Sequence, residues 1–275
     1  MNREQNDINA DNCCTVNSFR FTHNSSQSTV HSLAFTLAET LIVMGIIGVV
    51  AALTIPNVNK NTGRAEAVAK VKKIYAELSE AHDRATAVYG PINTWPSNCD
   101  AKCYRDRILE FIKFQKICNG EAASHNEPRS NGCADACLYY VTKELDECGY
   151  PEYQYYSALL NNGMSINIEH FGNREVSDGR HGFIEVNIDR AKGSKQISGI
   201  NYFYFDITNN GIKPGNNGNE WTDDSLKSCF TYGEFCTEWV IRNGNMDYLD
   251  ASHEESTAGK CKNGKQLSTT VSSCK

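Results

Sequence analysis

One segment of the chain is apolar along almost its whole length. Residues 35–55 read FTLAETLIVMGIIGVVAALTI, which is 21 residues with a single charge, at Glu39. A helix of that length rises about 30 Å, which matches the hydrocarbon core of a bilayer. A surface helix of a soluble domain would carry a polar stripe, and none occurs between Leu41 and Leu53. The pattern therefore predicts either a membrane-spanning helix or a cleaved signal sequence.

The position of the small residue next to this segment indicates that the helix is retained. A secretory signal has its small-residue cleavage site after the apolar core, whereas Ala34 precedes the core here. Glu39 is the unusual residue, because carboxylates inside membrane helices are costly and tend to be functional and paired. The alternative is that Glu39 lies at the headgroup level, where it favours the positive end of the helix dipole.

A second helical stretch, amphipathic this time, is predicted from Arg64 to Tyr89. Pro56 and Gly63 are expected to interrupt the chain before it, and Gly90-Pro91 to end it. Its apolar positions follow a three-four spacing that predicts a stripe packed against a globular domain: Val71, Ile74, Leu78, Ala81, Ala85 and Val88.

The rest of the chain predicts a short antiparallel sheet, and so an α+β fold. Residues 91–162 read as irregular, with a short helix from Lys102 to Phe114 whose apolar face is Ile108, Phe111 and Ile112. Residues 163–213 read as antiparallel strands, from one alternation of apolar and polar positions and two further runs. The strand signals are Met164-x-Ile166-x-Ile168, 183–186 and 202–207, the last followed by the turn at 209–211.

Cysteine is the unusual component of the composition. The 275 residues include twelve cysteines, ten of them after residue 90. An even and dense set indicates disulfides and an oxidising compartment, with a zinc site as the open alternative. The pairs 99/103 and 133/137 would each lie one helical turn apart, so each cysteine is expected to bond to another segment. The ten candidates are Cys99, Cys103, Cys118, Cys133, Cys137, Cys148, Cys229, Cys236, Cys261 and Cys274.

Charge and motifs exclude some functions and leave others open. The net charge of −6 argues against nucleic-acid binding. No G-x-S-x-G, H-E-x-x-H or P-loop motif occurs, so no enzyme is predicted, and His170 is read as structural. No cofactor is predicted, although oxygen-bearing side chains between 206 and 224 make calcium an alternative to ordinary turn chemistry. These are Asn209, Asn210, Asn216, Asn217, Asn219, Glu220, Asp223 and Asp224.

The start of the apolar segment resembles a known targeting signal. Ala34-Phe35-Thr36-Leu37-Ala38-Glu39, followed by the apolar run to Pro56, resembles the class III signal of type IV prepilins and type II secretion pseudopilins. The resemblance implies cleavage between Ala34 and Phe35 by a prepilin peptidase and N-methylation of Phe35. Glu39 then becomes the fifth residue of the mature chain. Gly48 falls where the family's helix loosens on assembly, and Pro56 where the family often has a proline.

Two features depart from the family pattern. The family usually has Gly where this chain has Ala34, and the leader is long and not basic. The leader also contains Cys13 and Cys14, which processing would remove.

The resemblance also implies an organisation and a role. It divides the chain into a cleaved leader, an assembly helix, its amphipathic continuation and an extracytoplasmic cysteine-rich domain, at 1–34, 35–56, 57–90 and 91–275. The expected architecture is the pilin lollipop, in which a long helix packs on an antiparallel sheet. The cationic methylated amine would be buried among apolar helices, where Glu39 of a neighbouring subunit would pair with it. Expected partners are the peptidase, other pilin or pseudopilin subunits and the inner-membrane assembly machinery.

The protein is expected to span the inner membrane once and later to leave it for a cell-surface or periplasmic filament. The cations after the apolar run would by themselves place that side in the cytoplasm, but the cysteines and the class III signal favour the opposite side. The motif is common to pili and secretion filaments, and the large cysteine-rich domain favours a minor or tip subunit over a major one. Two other hypotheses stay open: an adhesin-like binding protein with an uncleaved anchor, and a tethered enzyme with a deep polar pocket.

Overall fold

The structure is a computed structural model that describes part of the chain. The described residues are 36–119, 133, 138–141, 156–170, 179–190, 195–215 and 221–275, and the side chains of 53–61 and 119 are not described. The chain divides into two compact units, Met1–Ala52 and Leu53–Lys275, which are treated separately below.

Helix α1 spans Leu37–Tyr89 without interruption. The predicted end is confirmed, because Gly90 follows in the left-handed region at φ 81°. The predicted interruption at Pro56 and Gly63 is wrong. A proline inside a helix costs about 3 kcal/mol through a lost hydrogen bond and a steric clash, and the hydrogen bonds of the long helix on both sides of Pro56 offset this cost.

A six-stranded sheet carries the fold of the larger unit. Its order is β1-β3-β4-β5-β7-β8, and every neighbouring pair is antiparallel. Strands β2 and β6, of two residues each, form a separate parallel pair. The α+β class with an antiparallel sheet is therefore confirmed. The strands are β1 Phe114–Asn119, β2 Leu138–Tyr139, β3 Tyr156–Leu160, β4 Ser165–His170, β5 Arg180–Asn187, β6 Gln196–Ile197, β7 Tyr202–Thr208 and β8 Gly211–Pro214.

The remaining helices are short. Helix α2 spans Ala101–Leu109, shorter than predicted because Phe114 already begins β1. The Asp100 side chain caps α2 by accepting a hydrogen bond from the Cys103 amide at 2.9 Å. Helices α3 and α4 were not predicted. They span Asp223–Tyr232 and Thr237–Asn243, and short 3-10 turns occupy Ile92–Thr94 and Asp247–Asp250.

The second half of α1 forms one core with the sheet. Five of the six predicted stripe positions, Val71 to Ala85, are at most 1% exposed, and they belong to the same buried cluster as Ile166, Ile184 and Phe205. Tyr75 stacks on Phe205 with ring centroids 5.9 Å apart. Val88 is 63% exposed, so its prediction is wrong. The buried face continues from Ala85 to Tyr89 by a step of four rather than three, as the 3.6-residue period allows.

Ion pairs fix the same helix to the domain at its other end. Both Arg64 guanidinium nitrogens donate to the Asp250 carboxylate, at 2.5 and 3.1 Å. Lys70 donates to Asp189 just after β5 at 2.6 Å and lies 2.8 Å from Glu66. Two of the cations that follow the apolar run are thus paired with carboxylates in the folded protein.

The opposite face of the sheet is polar and buried. On β4, the polar residues of the predicted alternation are covered as completely as the apolar ones. Ser157 donates to Asn167 at 2.7 Å, Asn167 donates to the Tyr202 hydroxyl at 3.2 Å, and Tyr202 donates to Glu185 at 2.5 Å. This chain of hydrogen bonds crosses four strands and satisfies groups that would otherwise be costly to bury.

Four disulfides lie within the described residues, which confirms the disulfide expectation. They are Cys99–Cys103, Cys118–Cys133, Cys229–Cys236 and Cys261–Cys274. A zinc site made of these eight cysteines is excluded, since bonded sulfurs are not thiolate ligands. Cys133 bonds to another segment, at Cys118, as expected. Cys99 and Cys103 bond to each other, so the expectation that each would bond to another segment is wrong. Cys99 precedes α2, so its Cα lies 5.1 Å from that of Cys103. Cys137 and Cys148 lie outside the described residues.

Matched substitutions on α1 test the packing of this core. Val71→Ala removes two methyl groups from a fully buried position, and Val88→Ala removes the same groups from a largely exposed one. Both changes gain the same helix propensity, so their difference isolates burial. Val71→Ala should lower the free energy of unfolding by about 2 kcal/mol relative to Val88→Ala. Urea denaturation followed by tryptophan fluorescence measures this, and equal midpoints would contradict the packing.

Candidate assembly segment

The described part of the smaller unit begins with a reciprocal helix cap. The Thr36 amide and hydroxyl both donate to one Glu39 carboxylate oxygen, at 2.8 and 2.9 Å. The Glu39 amide in turn donates to the Thr36 hydroxyl at 3.2 Å. This is a capping box, in which two residues three apart satisfy each other's backbone donors. Glu39 therefore has a local role in starting the helix, in addition to any role in assembly.

The helix that follows exposes apolar side chains on all of its faces. The exposed positions include consecutive residues, from Leu41 to Met44, so they cannot share one side of a helix. Leu37 is 80% exposed and Val50 still 54%. Gly45 and Gly48 open further space, since a Cβ added at either would meet no atom within 4 Å. The exposed large apolar residues are Leu37, Leu41, Ile42, Val43, Met44, Ile46, Ile47, Val49 and Val50.

Across the residues whose side chains are described, which excludes 53–61, no helix is both long and apolar enough to cross a membrane.

The structure describes only some of the predicted processing and assembly residues. Ala34 and Phe35 lie outside the described residues. Glu39 and Gly48 lie in α1, at the cap and in the exposed apolar stretch. Pro56 lies within the same helix, and its side chain is not described.

Thr36 is the residue that sequence reasoning missed. The signal was present, because Thr36-Leu37-Ala38-Glu39 matches the T-x-x-E pattern of a capping box just before an apolar run. Thr36 adds a hydroxyl that both donates to the Glu39 side chain and accepts from its backbone, so the two residues act as one unit.

The side chains of two of the four calcium candidates within the described residues have other partners. Asn209 Oδ1 lies 2.8 Å from His181 Nε2, and Asp223 accepts a hydrogen bond from the Thr269 amide at 2.7 Å. Asp223 and Asp224 lie in the first turn of α3, where carboxylates favour the helix dipole. Within the described residues, no group of three or more His, Cys, Asp or Glu side chains could hold a metal ion. The candidates between 216 and 220 lie outside them.

Comparison with models of protein families, with curated proteins and with solved structures finds no match to this chain.

Substitutions at Thr36 test the cap. Thr36→Val keeps the shape but removes the hydroxyl, which should destabilise the first helical turn by about 1 kcal/mol. The Glu39 amide, which donates to the Thr36 hydroxyl, should then exchange with solvent about fivefold faster. Thr36→Ser restores the hydroxyl and should keep the original rates. The measurement is amide hydrogen exchange on the full chain in detergent micelles. Equal rates for the valine and serine variants would show that the cap is not formed.

Proposed function

We propose that this protein is a structural subunit, a minor pilin or pseudopilin, of a type IV pilus or type II secretion filament. In this proposal a prepilin peptidase cuts before Phe35, the new amino terminus is methylated, and the subunit assembles through its apolar helix. In this proposal the apolar stretch is the assembly helix, and the amphipathic half that packs on the sheet supports the expected pilin architecture.

The observation that carries the proposal is the exposed apolar surface of residues 37–50. Nine large apolar side chains are exposed there, around the whole circumference of the helix. Water tolerates a contiguous apolar surface of this kind poorly, so it needs lipid or other apolar helices as its surroundings. In a filament subunit, lipid would surround this apolar surface before assembly, and the helices of neighbouring subunits would surround it afterwards.

The cap gives Glu39 two successive partners in this scheme. In the free subunit, the Glu39 carboxylate accepts from the amide and hydroxyl of Thr36, in the first helical turn. Cleavage before Phe35 would place a methylated cationic amine one residue from Thr36. In the filament, the amine of one subunit and the carboxylate of another would meet only in correct register. Because burying either charge alone is costly, the pair would select that register.

The disulfides support an extracytoplasmic location for the cysteine-rich domain. Four of them lie within the described residues, and structural disulfides form and persist in oxidising compartments. The cations that would otherwise favour a cytoplasmic position include Arg64 and Lys70, both held by carboxylates of the domain. In this proposal the protein is anchored once in the inner membrane, with the domain outside, and then leaves the membrane into the filament.

The first experiment determines the mature amino terminus. The full chain is expressed with and without a prepilin peptidase, and intact mass and terminal peptides are measured. Peptidase-dependent appearance of a chain that begins at methylated Phe35 is the expected result. Retention of residues 1–34 in the presence of active peptidase would overturn the proposal and favour a binding protein with an uncleaved anchor.

A second experiment separates processing from assembly at Glu39. Glu39→Gln removes the charge but keeps the shape, so cleavage should continue while incorporation into filaments falls by more than about tenfold. Glu80→Gln is the matched control, because Glu80 lies on the same helix in an exposed pair with Arg84. The assay quantifies the subunit in sheared or pelleted filaments from cells with the assembly machinery. Normal incorporation of Glu39→Gln would remove the proposed assembly role of this carboxylate.

A further inference from the structure

Four buried aromatic rings form a column between α1, α2 and the sheet. His82 comes from α1, Tyr104 from α2, His170 from β4 and His181 from β5. Ring centroids are 6.1 Å apart from His82 to Tyr104, 4.9 Å from Tyr104 to His170 and 6.4 Å from His170 to His181. None of the four residues is more than 9% exposed. We call these four residues the histidine column.

Hydrogen bonds orient two of the imidazoles. His82 Nδ1 lies 2.8 Å from the Tyr104 hydroxyl. His181 Nε2 lies 2.8 Å from the Asn209 side-chain oxygen, which can only accept, so this nitrogen carries the proton. His181 Nδ1 is buried with no hydrogen-bond partner in the described part of the chain.

Burial is the largest cause of the lowered pKa values of His82 and His170. Burial, reinforced by the neighbouring His181 and His82, lowers the pKa of His170 to about 4. Burial also lowers the pKa of His82, with a smaller contribution from His181.

Acidic neighbours oppose these shifts only in part. Asp83 on α1 raises the pKa of His82, while Asp100 and the Cys99 backbone before α2 raise that of His170. Glu169 neighbours His170 along β4 but lies on the opposite face, because side chains alternate along a strand.

The column is a main link between α2 and the rest of the domain. Tyr104 is the α2 residue in the stack, and it touches a histidine on each side. Trp95 packs against Tyr104 with ring centroids 5.6 Å apart, so it would move with α2. The Cys99–Cys103 disulfide crosses only the start of α2 and does not tie this helix to the sheet. Helix α2 is also held by Ile108 and Leu109, which are at most 4% exposed in the same core, and by Arg105, which donates to the Cys118 carbonyl at 3.3 Å.

We propose that the histidine column is an acid-sensitive latch that holds α2 against β4 and opens when His82 and His170 take up protons. When the latch is closed, the column excludes water and keeps His82 and His170 neutral. When it is open, these two imidazoles reach water and can be charged. The remaining sheet and the C-terminal helices keep their contacts, so opening is confined to α2 and the segment around Trp95.

The direction of the pH dependence follows from the lowered pKa values. Because the closed form disfavours the charged imidazole, its stability is complete above the ordinary histidine pKa and is lost as the pH falls below it. For His170 alone, a change from the usual 6.5 to about 4 makes opening about 30-fold more favourable at pH 5 than at pH 7.5. His82 adds to this in the same direction.

The test is amide hydrogen exchange on the full, disulfide-bonded chain in detergent micelles. Between pH 7.5 and pH 5, and after correction for intrinsic exchange rates, protection of residues 104–109 should fall about 30-fold or more. Protection of β5 and β7 should stay constant. Unchanged protection of α2 would overturn the proposal, and so would an equal loss in β5 and β7, which would indicate global acid unfolding instead of a latch.

Two variants assign the effect to the column. His170→Phe keeps a ring against Tyr104 but cannot titrate, so most of the pH dependence of α2 protection should disappear. His253→Phe is the matched control, since His253 lies outside the column, beside the Phe230 carbonyl. A control that loses the dependence, or a folded His170→Phe that keeps it in full, would overturn the assignment. If His170→Phe does not fold, NMR titration of His82 and His170 in the wild-type protein tests the latch instead. Ordinary pKa values for these two residues would contradict it.

Discussion

The packing of the second half of α1 against the antiparallel sheet is the contact on which the larger unit depends. Val71, Ile74, Leu78, Ala81 and Ala85 lie on one side of the helix and are fully buried against residues of β4, β5 and β7. The sheet has no other long helix in the described part of the chain to cover this face. The buried stripe therefore positions the histidine column, since His82 lies next to Ala81 and enters the same interface.

The two faces of the sheet are stabilised in different ways. One face is apolar and is covered by α1, as the hydrophobic effect favours. The other is polar yet equally buried, with Ser157, Asn167, Tyr202 and Glu185 joined in one hydrogen-bonded chain. Burial and the nearby Glu185 raise the pKa of Glu169, on the same face, to about 7. Burial thus favours the neutral forms of adjacent residues on both faces of β4, a carboxylic acid on one and an imidazole on the other.

Sequence patterns predicted the parts of this fold that local periodicity determines. The stripe on α1 and the strands around 166, 184 and 205 were predicted because their apolar positions repeat at the spacing of their own element. β1 and β3 were missed, since FQKICN and YSALL lack a clear alternation. The capping box at Thr36 was readable and was overlooked. The histidine column could not be predicted, because residues 82, 104, 170 and 181 meet only through tertiary packing.

The contacts between α1 and the domain also have a mechanical consequence. They are spread from the Arg64–Asp250 ion pair to the buried Ala85, over about 30 Å of helix. Tension applied along the helix axis from its amino-terminal side would strain these contacts together, as in shear. A sideways pull would instead break them one after another, beginning at Arg64. The attachment of this helix should therefore resist axial stretching much better than peeling.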